Sequence, residues 1–489
     1  MGRHNRICQA LVLTLIAFLL LTVVAGAAGA SKIPITTKSE KAREYYLKGL
    51  GLSDKLRGQE SIEYFQKAIA EDPDFVLAYL NLAFVTPSAK GFFENLGKAK
   101  TLIDRVSEGE RLWVLGVEAG VNGLPMQQRQ FYKQLVDMYA DDERAHNLLG
   151  NHYFGQQEWA LAIDQYEEAT KIAPDFSQPY NQLGYCYRFL ESYAEAEKAF
   201  KRYIEIIPDD PNPYDSYAEL LLKMGKYDES IESYKAALAL DPNFVPSHIG
   251  IATNLNFKGR HDSARSQIDE LYIMARNDGE RRAAHFAKAV SYVDEGNMTK
   301  AVEELEKQYA LAEKIKDAAA MSGDLIGIGN ILFEWGKYDQ ALARYLRAVD
   351  VVKESDLSQE IKANTELNFL YNSARIAMAK GDLAEARTKA EQYLEGVEAI
   401  NNPNQIRLAH QLAGVIALEE KDYHRALVEL GQASQQNPYN LYRISLAYQG
   451  KGEDGKAREY CRKAATFNSL NDMNYAFCRS KALRLLGSM

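Results

Sequence analysis

A period constrains this chain more than any other feature. Between Glu143 and Pro242 the same residue types return every 34 positions: Pro174, Pro208 and Pro242; Gly150, Gly184 and Ala218; Ala162, Ala196 and Ser230; Tyr166, Phe200 and Tyr234. A repeat of this size marks stacked supersecondary units, none of which can bury its apolar face alone. Within one unit, Leu183, Gly184 and Tyr187 fall at helical spacing, and so do Ala196, Phe200 and Tyr203. Glu191-Ser192-Tyr193 separates the two runs, so the unit reads as two short helices and a tight turn. Gly184 and Ala196 are small where the helices must approach, and Phe200 and Tyr187 fill the space beside them. Pro208 cannot continue a helix and closes the unit. The expected product is an all-α, right-handed solenoid of about twelve helical hairpins.

The residues carry a resemblance. An aromatic at Tyr180, then Leu183-Gly184, Tyr187, Ala196, Phe200 and a closing Pro208 resemble the tetratricopeptide repeat (TPR). Tyr203 departs from that pattern, standing where a small residue is usual. The resemblance implies a superhelix that binds other proteins, without implying which ones.

The register extends in both directions. Gly49, Ser61, Phe65, Ala68 and Pro73 lie 101 residues before Gly150, Ala162, Tyr166, Ala169 and Pro174, which is three periods less one residue. Two degenerate units stand between, one with an expected long loop around Thr86-Pro87 and Gly91 and a second helix near Leu96 to Val106. The other starts at Ser107, whose spacing to Glu110 is that of a capping box. After Pro242 the period loosens, with small residues after the turns at Ala264, Ala301, Ala341, Ala386 and Ala426, and the sharpest internal boundary falls at Asn277-Asp278-Gly279. The expected organisation is therefore an array with a near-34-residue period over 42–278, longer repeats over 279–469, and a capping helix over 470–489 whose Arg479, Lys481 and Arg484 form a solvent face.

Residues 1–30 read as an export signal: Arg3 and Arg6, an apolar run from Ile7 to Val24, and the cleavage pattern Ala28-Gly29-Ala30 before Ser31. The alternative is an uncleaved anchor with the repeats outside the cytoplasm. The expected location is periplasmic or extracellular, with membrane contact only through an uncleaved leader. Residues 31–41 are polar and read as a flexible lead-in.

Net charge is −9, and loss of Arg3 and Arg6 makes it more negative, which argues against nucleic acid as the main partner. Four cysteines form no Cys-x-x-Cys; Cys461 and Cys478 read as core residues, with a disulfide between them as the alternative. His146 and His248 occupy the same repeat slot as Tyr180 and Tyr214, so they read as packing residues rather than metal ligands. Gly327-Ile328-Gly329 lacks the third glycine and preceding strand of a dinucleotide loop. No catalytic constellation, cofactor site or metal site emerges, so the expected role is not enzymatic.

The concave face remains. One residue along from the core slots runs a polar stripe: Asn147 and Asn151, then Asn181, Tyr185 and Arg188. Asn330, Tyr371, Asn372 and Arg375 hold related places in the looser half. Asparagine can hold a peptide backbone through both donor and acceptor. Tyrosine and arginine are favoured interface anchors. The expected partner is a protein or extended peptide, and the expected function is a scaffold or adaptor in a multiprotein complex. The alternative is a cell-envelope assembly factor that binds a glycan or an unfolded client.

Overall fold

A computed structural model describes residues 32–489, and the leader read at 1–30 lies outside them. Among the described residues every regular element is helical. The first six hairpins are α1 (Glu40–Ser53) with α2 (Gly58–Glu71), α3 (Val76–Val85) with α4 (Ala89–Thr101), α5 (Glu108–Val121) with α6 (Pro125–Met138), α7 (Glu143–Gly155) with α8 (Trp159–Ile172), α9 (Ser177–Phe189) with α10 (Tyr193–Ile206), and α11 (Pro211–Lys223) with α12 (Tyr227–Leu240). The next three are α13 (Val245–Phe257) with α14 (His261–Met274), α15 (Asp278–Glu295) with α16 (Met298–Lys314), and α17 (Ala318–Glu334) with α18 (Tyr338–Lys353). Then come α19 (Gln359–Ala379) with α20 (Leu383–Ile400), α21 (Pro403–Glu419) with α22 (Tyr423–Gln432), α23 (Pro438–Gly450) with α24 (Asp454–Ala465), and a final helix α25 (Met473–Ser488). The elements from α15 to α21 are 16–21 residues long, against 10–14 before them.

One contact recurs through the array. A Cβ built on Gly184 would lie 2.5 Å from the Phe200 ring, on Gly150 2.6 Å from Tyr166, on Gly116 2.1 Å from Tyr132, and on Gly329 2.5 Å from Tyr345. The ring, sixteen positions on, occupies the space a side chain would need. Ala264, Ala301, Ala341, Ala386, Ala426 and Ala457, the small residues after the turns, are all fully buried. Those alanines let the second helix lie against the first, which is why the slot tolerates nothing large. First helices of successive hairpins touch each other, as α11 touches α13 and α21 touches α23, so they form the inner side of the curve.

The curve closes. Seven hairpins make one turn of the superhelix, and the next turn rests on it. Asn277, which caps α15, donates to Gln59 of the first hairpin at 2.8 Å. Asp317, which caps α17, accepts from the Lys90 amide of the second at 3.0 Å. Ser358, which caps α19, donates to Asn122 of the third at 2.8 Å. Asn404 and Arg407 of α21 bond the Gly155 and Gln156 carbonyls of the fourth, each at 3.1 Å. Helix-start residues thus serve twice, capping their own helix and holding the turn below.

Three sequence expectations need correction. Thr86-Pro87 makes no long loop: Ser88 caps α4, which starts at Ala89, and Gly91 sits in its first turn because a Cβ there would lie 2.6 Å from Thr86 Oγ1. The lead-in read as flexible is a strap. Ile33 N donates to Asp142 (2.7 Å), Thr36 N to Glu110 (2.8 Å) and Lys38 N to Asp72 (2.9 Å). Those three carboxylates are buried and need donors, which the strap supplies. Finally, α25 does more than cover α24. It turns inward against α15 and α23, and Arg479 and Lys481, read as a solvent face, pair with Asp294 (3.2 Å) and Glu334 (2.7 Å). Cys186, Cys461 and Cys478 are free and buried.

The ring–glycine contact yields a prediction. Gly184→Ala should already destabilise, by about 1–3 kcal/mol, because the Phe200 ring must move. Thermal and denaturant unfolding of Gly184→Ala, Phe200→Leu and the double variant should show the double variant less destabilised than the two singles added together. Simple additivity would mean that the two residues do not meet.

Candidate functional site

Closure turns the concave face into a lumen, and two of its cavities among the described residues hold members of the polar stripe. The first, of about 890 Å³, lies where hairpins one to five face the starts of α13 and α15. Its wall includes Phe84, Phe92 and Leu56 on the apolar side and Trp113, Asn147 and Asn151 on the polar side. Its charges are answered internally: Arg144 holds Asp54 through two bonds of 3.0 and 2.5 Å, and Arg276 Nε reaches Glu280 at 2.9 Å. The second chamber, of about 300 Å³, lies among α17, α19, α21 and α23, with Asn474 and Phe477 of α25 closing one side.

The polar stripe divides between these places. Asn147 and Asn151 face the first chamber. Asn147 Nδ2 donates to Gln178 Oε1 at 3.0 Å, and its buried Oδ1 makes no bond within the described chain. Asn151 is exposed, and its Oδ1 accepts from the Tyr166 hydroxyl at 2.8 Å. Asn330, Tyr371, Asn372 and Arg375 all line the second chamber. Asn181, Tyr185 and Arg188 line neither of these two chambers. Arg188 Nη1 bonds Glu219 at 2.9 Å and stacks on Tyr185 at 4.7 Å, while Tyr185 donates to Glu219 at 3.1 Å. The Arg188 charge is therefore already neutralised by the neighbouring hairpin. Beside this group, burial pushes the Asp215 carboxyl well above the usual carboxylate range and the Glu219 charge adds to it, against a 2.7 Å hydrogen bond from Ser247.

The histidine slot behaves as one. His146 Nε2 lies 3.0 Å from the Ala140 carbonyl and His248 Nε2 2.9 Å from that of Pro242, as the Tyr180 and Tyr214 hydroxyls donate to Pro174 and Pro208 at 3.2 and 3.0 Å. Each ring ties its helix start to the carbonyl six residues back. Among the described residues no group of three or more His, Cys, Asp or Glu is placed to hold a metal ion. No described helix is long and apolar enough to cross a membrane.

Sequence reading missed Trp113 and Phe84 as lumen residues and Arg443 as a member of the second chamber. Trp113 was visible beside the glycine slot at Gly116, and its buried Nε1 makes no bond within the described chain. Phe84 carried a signal too, standing apolar and half-exposed just before the turn.

Comparison with known proteins agrees with the hairpin geometry. Residues 143–176, 177–210, 326–405 and 438–469 match models of the tetratricopeptide repeat, and 218–252 matches a further TPR repeat model. The chain carries tetratricopeptide repeats. No curated protein matches it. Among solved structures, one of PilF from Pseudomonas aeruginosa is 17% identical, covering 45% of this chain and 90% of its own, with a TM-score of 0.31. A chain of the APC/C hetero-tetramer Cut9–Hcn1 is 15% identical, covering 90% of this chain and 76% of its own, with a TM-score of 0.43. Neither likeness carries a function across. The matched repeats make the chain a tetratricopeptide-repeat scaffold similar to protein-interaction adaptors.

The buried Asp215 sets a pH dependence. A folded-state pKa above the unfolded value means the native state keeps a proton that the unfolded chain releases, so this group's contribution to stability falls as pH rises from the ordinary aspartate range. Asp215→Asn removes that titration while leaving Ser247 an acceptor. Melting temperatures from about pH 4 to pH 8 should show the variant gaining on wild type as pH rises. A difference that does not change with pH would contradict the held proton.

Proposed function

We propose that the protein is an exported scaffold that binds an extended segment of a partner protein in its lumen. The observation that carries this reading is two unpartnered polar side chains in the wall of the first chamber. Trp113 Nε1 is a buried donor and Asn147 Oδ1 a buried acceptor, both without partners in the described chain. Buried polar groups in folded proteins are normally paired, and a peptide group offers one acceptor and one donor. Phe84, 53% exposed on the same wall, supplies an apolar anchor surface. Export rests on the leader ending in Ala28-Gly29-Ala30.

Two measurements test this reading. Mass spectrometry of protein from its native host should find an N-terminus at or near Ser31; an intact Met1 in the membrane fraction would replace cleavage with an anchor. Tagged protein should capture a stoichiometric protein partner from the same host. Phe84→Ala should weaken that capture by about 1–2 kcal/mol with little change in melting temperature. Tyr166→Ala, which empties a fully buried slot, should instead cost about 3–5 kcal/mol of stability. Retention on cell-wall polymer with no protein partner would overturn the scaffold reading.

A further inference from the structure

The N-terminal strap leaves part of its track empty, and from that we infer that the rim at hairpins five and six binds an extended, lysine-bearing segment of another protein. The strap holds the rim by two kinds of contact, and the period repeats the acceptor of each. In the first, a buried carboxylate at a helix start accepts a backbone amide. Asp142 Oδ1 caps α7 by accepting from the Arg144 and Ala145 amides at 2.8 and 2.9 Å, and its Oδ2 takes the Ile33 amide at 2.7 Å. Asp210 stands 68 residues on, which is two periods, and caps α11 in the same way, its Oδ1 accepting from the Asn212 amide at 3.1 Å. Both aspartates are 3% exposed. Asp210 Oδ2, however, bonds nothing in the described chain. In the second kind of contact, a loop aspartate pairs with a strap lysine. Lys38 reaches Asp74 at 3.1 Å, beside Arg105 at 2.7 Å. Asp175 and Asp209 hold the same slot 101 and then 34 residues later. Both are exposed, and neither forms an ion pair within the described chain.

Nearby charge does not replace the missing donor. Lys55 and Arg57, on the turn of the first hairpin, act on Asp210 through space without bonding it, and Arg57 is bonded to Glu60. Burial still pushes the Asp210 carboxyl above the ordinary aspartate range. A buried acceptor without a donor costs stability, so an amide offered to Asp210 gains what the Ile33 amide gains at Asp142. Lysines flanking that amide would answer Asp175 and Asp209, as Lys38 answers Asp74. The occupant is not the strap's own continuation. Lys38, Thr36 and Ile33 serve hairpins two, three and four, so each hairpin takes two or three strap residues. Hairpin six would take a residue N-terminal to Ser31, which cleavage after Ala30 removes. Nor is it the strap of a second copy, which is engaged on its own rim. Only this choice of occupant rests on the export reading, and the site itself is independent of the lumen.

Isothermal titration of the full mature chain tests this with two probes: a blocked peptide of the strap sequence, residues 32–38, and the same peptide methylated on the Ile33 amide nitrogen. One unmethylated peptide should bind per chain. Methylation and Asp210→Asn should each weaken binding at least tenfold, because asparagine keeps the oxygen that caps α11 but puts a donor in place of Oδ2. Asp350→Asn, an exposed change on α18, should bind like wild type. Hydrogen exchange should show new protection at residues 206–212 and none gained or lost at 139–145. Absence of binding, equal binding of the two peptides, or no effect of Asp210→Asn would overturn the inference. Protection at 139–145 alone would mean that the peptide has exchanged with the strap, and would overturn it too. Self-association of the wild-type chain that Asp210→Asn abolishes would give the rim to a second copy and overturn the choice of a foreign segment. Phe84→Ala, in the lumen, should leave peptide binding unchanged, so failure of either site leaves the other standing.

Discussion

An aromatic ring in the space of a missing side chain is the contact on which the architecture depends. Where Phe200 covers Gly184 or Tyr166 covers Gly150, the two helices of a hairpin meet at one fixed approach. A larger residue at the glycine would open the hairpin, and a smaller one at the ring would leave a void. Because the same contact returns in hairpin after hairpin, the small rotation between neighbours accumulates into a regular curve.

That curve returns to itself after seven hairpins, and the return encloses the candidate surface. Polar helix starts such as Asn277, Asp317 and Ser358 land on the turns of hairpins one to three, so consecutive superhelical turns are joined by hydrogen bonds. An open groove becomes a lumen. Helix α25 then enters from the C-terminal end, anchored by Arg479 on Asp294 and Lys481 on Glu334, and walls off the smaller chamber. One consequence is a division of chemistry along the lumen: arginines paired with carboxylates in the first chamber, and arginines bonded to asparagine amides in the second.

The local half of this account was legible in the sequence. The glycine, alanine and histidine slots follow from the period alone, since each is set within one hairpin or between neighbours. Contacts seven hairpins apart were not legible, because the residues that make them look like ordinary helix caps and are also used as such. The strap was hidden for a similar reason: Thr36 and Thr37 are unremarkable polar residues until buried Glu110 and Asp72 are seen to need their donors. The candidate groove residues were half legible. Asn330, Tyr371, Asn372 and Arg375 meet in one chamber, and Asn147 and Asn151 face the other. The pairing that occupies Arg188 had a readable signal, since Glu219 stands one period after Tyr185 in the same stripe. The degenerate second hairpin misled because Pro87 and Gly91 are loop residues by composition, whereas Ser88 between them starts a helix.

The central claim is that successive superhelical turns touch and enclose a lumen. Electron–electron distance measurement between spin labels tests it most directly, with cysteines introduced at Gly155, where a side chain meets open space, and at exposed Glu398 on α20. The native cysteines of the described chain are buried and stay unlabelled. The account predicts one short, narrow distance distribution, broadened when Asn404 and Arg407 are both replaced by alanine. A broad or long distribution in the otherwise unaltered protein would mean that the turns stand apart and that no lumen exists.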